Sequence, residues 1–123
     1  MIHLTSLLVD FDIVVDLTDD TRTVSVTGDL DANTARQLAE LLDHLVAGGG
    51  TVLVNLDGVT FMDAAGIGAL VHCAHRLAPA GELRIVAASP VAARVIDLTG
   101  TGAVLRLDGV SASPGEPGPG TGR

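Results

Sequence analysis

The chain lacks tryptophan, tyrosine and lysine, and carries only two phenylalanines and one cysteine in 123 residues. With so few rings, sites that hold bases or flat heterocycles by stacking are disfavoured, and the core has to be aliphatic. Cations are scarce as well: 7 arginines face 15 acidic residues, a net charge of −8. Nucleic acid and anionic membrane surfaces both select lysine- and arginine-rich proteins, so neither is an expected partner. The same acidity suits a basic protein partner, and it also keeps a protein soluble with no partner at all. The single thiol, Cys73, has no internal disulfide partner, which points to a reducing compartment. Asp10, Asp12 and Asp16 interrupt the early apolar residues and no basic segment precedes them, so no secretory signal is expected. No uncharged apolar run reaches the ~18 residues of a spanning helix. The expectation is a soluble cytoplasmic protein.

What is present reads as one α/β domain. Domains cluster at ~100–150 residues, and a chain of this length buries roughly two-thirds of its unfolded surface, enough for a core without staples. Residues 1–10 are ambiguous between a leader and an edge strand. The domain proper spans 11–108. Phe11 to Leu17 alternates loosely as a strand, Asp19-Asp20 turns the chain, and Thr23 to Thr27 alternates strictly as its antiparallel partner. From Asp31 to Ala47 the apolar residues Ala35, Leu38, Ala39, Leu42, Leu45 and Val46 recur at helical spacing. Asp31 or Asn33 can cap that helix, and Gly48-Gly49-Gly50 ends it.

Thr51 to Leu56 is nearly continuous in apolar and β-branched residues, which predicts a strand covered on both faces. A second helix starts at an Asp63 cap and runs to about Ala78, a further strand covers Leu83 to Ala88, and Ser89-Pro90 opens a short helix to Leu98. Val104 to Leu107 reads as an edge strand. Residues 109–123 are rich in Pro, Gly and Ser with no apolar payload, and are expected to be disordered. Strand–helix–strand units make parallel neighbours beside the initial antiparallel pair. The expected fold is a small mixed sheet with helices packed mainly on one side.

In the second helix, Ile67, Leu70, Val71, Ala74, Leu77 and Ala78 share the core face, while Ala65, Ala69, His72 and Arg76 share the opposite one. Alanines beside Gly66 and Gly68 make a smooth surface on which another protein can lie closely. Alanine is equally the best helix former, so the same pattern suits a face with no partner.

Gly58-Val59-Thr60-Phe61-Met62-Asp63-Ala64-Ala65-Gly66-Ile67-Gly68 resembles the central motif of the STAS domain family of anti-sigma factor antagonists. Gly28-Asp29-Leu30-Asp31 with Thr34-Ala35, and Ser89-Pro90, Arg94 and Leu98-Thr99-Gly100, are similar to that family's flanking segments, in the same order. The resemblance covers residues 23–107. It implies a four- or five-stranded sheet flanked by helices and a non-enzymatic role: binding an anti-sigma factor of the serine-kinase type and so freeing a sigma factor for transcription. It further implies docking through Asp29, Asp31, Thr60, Asp63, Ala64, Ala65, Gly66 and Ile67. Where the family carries the serine that accepts phosphate, this chain has Ala65, preceded by Ala64. Alanine cannot be phosphorylated, and Thr60 is the nearest hydroxyl. Relatives without the switch also serve as scaffold subunits or transporter accessories, which is the alternative the resemblance leaves open, as it leaves open a homodimer.

Other chemistries find less support. Asp63 with His72 or His75 has no nucleophile at motif spacing. His72 and His75 stand three apart on a helix, but Cys73 points to a flank, so no metal or other cofactor is expected. The triglycine follows a helix and precedes a strand, the reverse of a phosphate loop, which leaves a nucleotide-binding module as a weaker alternative.

Overall fold

Valine and isoleucine at every second position make the first layer. The computed structural model describes residues 2–5, 11–18 and 21–105. Strands β1 (Ile2–Thr5), β2 (Phe11–Thr18), β3 (Thr21–Leu30), β4 (Thr51–Met62) and β5 (Glu82–Ala88) form one sheet in the order β1-β2-β3-β4-β5. The first three are antiparallel, and β3–β4 and β4–β5 are parallel. Parallel neighbours need a crossover, and the helices α1 (Ala32–Val46) and α2 (Ala64–Leu77) supply the two that are required. The helices α3 (Pro90–Thr99) and α4 (Gly102–Leu105) follow β5. The expected mixed α/β sheet is therefore present. The ambiguous first segment contributes its edge strand, β1. The Asp19-Asp20 turn and the 109–123 tail lie outside the described residues.

Strand register aligns the core. Val15, Val24, Val54 and Ile85 stand opposite one another across four strands, and all four are fully buried. Leu38 and Leu42 of α1, Leu70 and Leu77 of α2 and Ile96 of α3 belong to the same buried cluster. Each such side chain contributes about 1.5–3 kcal/mol through burial. This layer holds the helices to the sheet.

Two expectations are corrected. The strand β4 is not covered on both faces: Val52, Val54 and Leu56 are buried, whereas Thr51, Leu53 and Asn55 between them are half-buried. Leu53 makes the run look continuous, but its polar neighbours on that face betray a one-sided strand. Val104 is not in an edge strand either; it lies in α4, with the Leu105 amide donating to Thr101 O at 3.0 Å. Gly100, left-handed at φ 69°, ends α3 and turns the chain so that Leu105 is buried. Residues 106 and 107 fall outside the described part. The Ser89-Pro90 expectation holds: Ser89 Oγ accepts from the Ala92 amide at 3.1 Å and Pro90 is the first helical residue.

At the end opposite the strand C-termini, the Arg22 guanidinium donates to Leu45 O, fastening the last turn of α1 to the sheet. There the loop before β5 crosses the triglycine: the Glu82 amide donates to Gly50 O at 3.0 Å, and a Cβ on Gly81 would sit 2.1 Å from that same oxygen. Backbone, not a flexible side chain, blocks the methyl. Gly81→Ala is expected to lower stability by about 1–3 kcal/mol through overpacking. Urea unfolding checks this, and an unchanged midpoint would contradict the close approach.

Candidate partner-docking site

The strands β3 and β4 run side by side and end level, with Leu30 opposite Met62. Each is followed at once by an aspartate that caps a helix. Asp31 Oδ1 accepts from the amides of Asn33 at 3.0 Å and Thr34 at 3.1 Å, and Thr34 Oγ1 in return accepts from the Asp31 amide at 2.8 Å. Of the two cap candidates in the sequence, Asp31 therefore takes the role. Thr34 is fully buried and its hydroxyl donates to Asp29 O at 2.7 Å, so strand end and helix start form one unit. The Thr34 backbone amide, foremost among these donors, holds the Asp31 carboxyl below its ordinary value of 3.8. Asp63 Oδ1 accepts from the Ala65 amide at 2.9 Å, and the Asp63 amide donates to Leu30 O at 3.3 Å. Two helix N-termini, each positive, thus emerge next to each other with a carboxylate on each.

A β-bulge shapes what lies beside them. Gly28 pairs with Val59 and Asp29 with Phe61, which leaves Thr60 without an opposite residue. The consecutive residues Thr60 and Phe61 are both exposed, while Val59 and Met62 on either side are buried. Thr60 Oγ1 donates to Asp29 Oδ1 at 2.8 Å and clips the two strand ends together.

Of the expected docking residues, Asp29, Thr60, Ala64 and Ala65 are exposed and Asp31 and Asp63 are half-buried, all at this tip. Gly66 and Ile67 do not share that surface, because both are buried. A Cβ on Gly66 would lie 2.8 Å from Leu30 Cγ, so the missing side chain lets the first turn of α2 settle on Leu30 and Met62. Phe61, absent from the expected set, is 47% exposed and adjoins the site. The signal that could have found it is the three-residue spacing of the apolar pair Val59 and Met62, which is out of step with strand alternation.

Other reactive groups offer less. Cys73 is buried, and burial, with the charge of Asp43 second, pushes its thiol up to about 11, far from forming thiolate near neutrality. His72 and His75 are exposed, and among the described residues no three His, Cys, Asp or Glu side chains gather as metal ligands do. An open recess of about 230 Å³ between Ala74, His75, Leu83 and Val104 is smaller than the ~300–1,000 Å³ of typical small-molecule sites. No described helix is long and apolar enough to cross a membrane. What the tip offers is surface: two methyl groups, a hydroxyl, a ring and carboxylates.

Two outcomes check this construction. Because the Asp31 carboxyl is lowered in the folded state, its stabilisation is present above the ordinary value and is lost as pH falls through the folded one. Unfolding free energy should therefore fall further between about pH 5 and 2 in the wild type than in Asp31→Asn, which caps without titrating. Parallel curves would contradict the cap geometry. Gly66→Ala should destabilise by about 1–3 kcal/mol despite a helix-propensity gain of about 1 kcal/mol, since Leu30 has nowhere to move. A raised melting temperature would contradict it.

The fold is shared with known proteins. An anti-sigma factor antagonist from Mycobacterium paratuberculosis is 25% identical with a TM-score of 0.73, the match covering 87% of this chain and 89% of that one. The Bacillus cell fate determinant SpoIIAA in its phosphorylated form is 21% identical with a TM-score of 0.63, over 85% of this chain and 92% of that one. The STAS domain of an anti-sigma factor antagonist from Rhodobacter sphaeroides is 20% identical with a TM-score of 0.54, over 66% and 89% respectively. The STAS domain model itself matches residues 12–112, most of the length described above, and the chain belongs to that family.

Proposed function

We propose that this STAS domain is an anti-sigma factor antagonist that binds an anti-sigma factor of the serine-kinase type in the cytoplasm and releases a sigma factor for transcription, without control by phosphate at Ala65. The supporting observation is the exposed Ala64-Ala65 pair in the first turn of α2, inside an otherwise intact family motif. Solved structures that the chain resembles include anti-sigma factor antagonists, and one of these, SpoIIAA, exists in phosphorylated and unphosphorylated forms. A phosphoserine adds about −1.5 to −2 charges and acceptor oxygens, which an apolar or acidic partner surface cannot accommodate. Alanine presents a methyl group that remains compatible with docking at all times. The docking pad comprises Asp29, Asp31, Thr60, Asp63, Ala64 and Ala65, with Gly66 and Ile67 supporting it from the core.

The test begins with the tagged chain in its native host and identification of what it retains. A histidine-kinase-like ATPase that also binds a sigma factor is the expected partner. The purified chain, added to the reconstituted anti-sigma–sigma complex, should displace the sigma factor in size-exclusion profiles. Its intact mass should stay unchanged after incubation with that kinase and ATP. Ala65→Asp should weaken binding by about tenfold or more, because it places an unpaired carboxylate at the centre of the contact. Retention of transporter subunits in place of an anti-sigma factor, or a stoichiometric phosphate, would overturn the proposal.

A further inference from the structure

The chain has two aromatic side chains and treats them oppositely. Phe11 is 2% exposed in the core, whereas Phe61 is 47% exposed at the tip. A ring carries more apolar surface than any of the leucines and isoleucines that fill this core, so leaving one half in water forfeits stabilisation. The exposure is also built in rather than incidental. The bulge at Thr60 breaks the alternation of β4 and turns Thr60 and Phe61 outward together, and bulges characteristically re-aim side chains beside functional sites. The backbone that carries the ring is held from both sides, by Thr60 Oγ1 on Asp29 Oδ1 and by the Asp63 amide on Leu30 O. A ring on a fixed backbone loses little freedom on docking, which is what makes aromatic residues strong anchors.

Charge then states what the ring meets. Asp29 stands opposite Phe61 in the register and Asp63 follows two residues later. Neither carboxylate pairs with a cation among the described residues, and the whole chain carries −8. Taking the proposed antagonist function as given, we infer that Phe61 is the anchor of the docking surface and that the anti-sigma factor receives it in an apolar recess rimmed by arginine or lysine. A second copy of this chain is the poorer occupant, since it would bring the same carboxylates against themselves.

Calorimetry with the purified anti-sigma factor tests the anchor. Phe61→Ala should weaken binding by about tenfold or more, with Phe61→Leu intermediate, as for a central hot spot. Leu17→Ala removes a comparably exposed side chain, 51% exposed, from β2 at the far end of the sheet, and should change affinity by less than about twofold. Raising salt from about 0.05 to about 0.5 M should weaken wild-type binding, and less so in Asp29→Asn. A measurement on the unsubstituted chain guards against misfolded variants. With fluorophenylalanine at both positions, the Phe61 fluorine signal should shift on adding the partner while that of Phe11 stays.

Wild-type binding with Phe61→Ala unaffected or a static Phe61 signal overturns the anchor and leaves the antagonist function standing. Equal loss in Leu17→Ala, or a dimer that Phe61→Ala dissolves while partner binding persists, overturns it as well. If the wild type binds no anti-sigma factor, the function and the anchor fall together.

Discussion

Parallel pairing of β3 with β4 brings Leu30 and Met62 to the same level, and most of what distinguishes this molecule stems from that alignment. Two parallel strands that finish together must each hand over to a helix at the same edge of the sheet. Each handover exposes backbone amides that need acceptors, and Asp31 and Asp63 provide them. The tip is thereby acidic for structural reasons before any partner is considered. Cross-links between the two handovers, from Thr60 to Asp29 and from Asp63 to Leu30, make one surface of them.

Small residues decide how that surface is set. Gly66 lets α2 sit directly on Leu30 and Met62, so the exposed methyls of Ala64 and Ala65 project from a turn with core packing beneath it. A bulge one element earlier puts the ring of Phe61 beside them. Rigidity, small side chains and a single ring suit non-covalent recognition. Residue 65 contributes a methyl group to that surface, and the hydroxyl nearest to it belongs to Thr60, which is engaged by Asp29.

Where the sequence was a good guide, a local periodicity or a local hydrogen bond carried the information. The alternation in β2 and β3, the apolar stripe of α1 and the caps at Ser89 and Asp63 depend on residues within a few positions of one another, and each appears as expected. The failures involve non-local facts. Leu53 reads as buried by its type, yet the side of the sheet it faces is set by the register of β4 with its neighbours. Val104 reads as a strand residue by its type, but the turn at Gly100 and the burial of Leu105 place it in a helix.

For the candidate site, the resemblance of the motif to the family's singled out the tip, its aspartates and the alanine in the serine position, because a motif is residue identity at fixed spacing. Which of those residues face outward was decided only by the tertiary structure. Gly66 settles on Leu30 and Met62 and Ile67 joins the buried cluster, while Phe61 turns outward because between Val59 and Phe61 β4 holds one residue more than β3 can pair. Spacing along a chain encodes its own periodicity, but it carries no record of the neighbour that takes up or leaves over a residue when two strands are laid together.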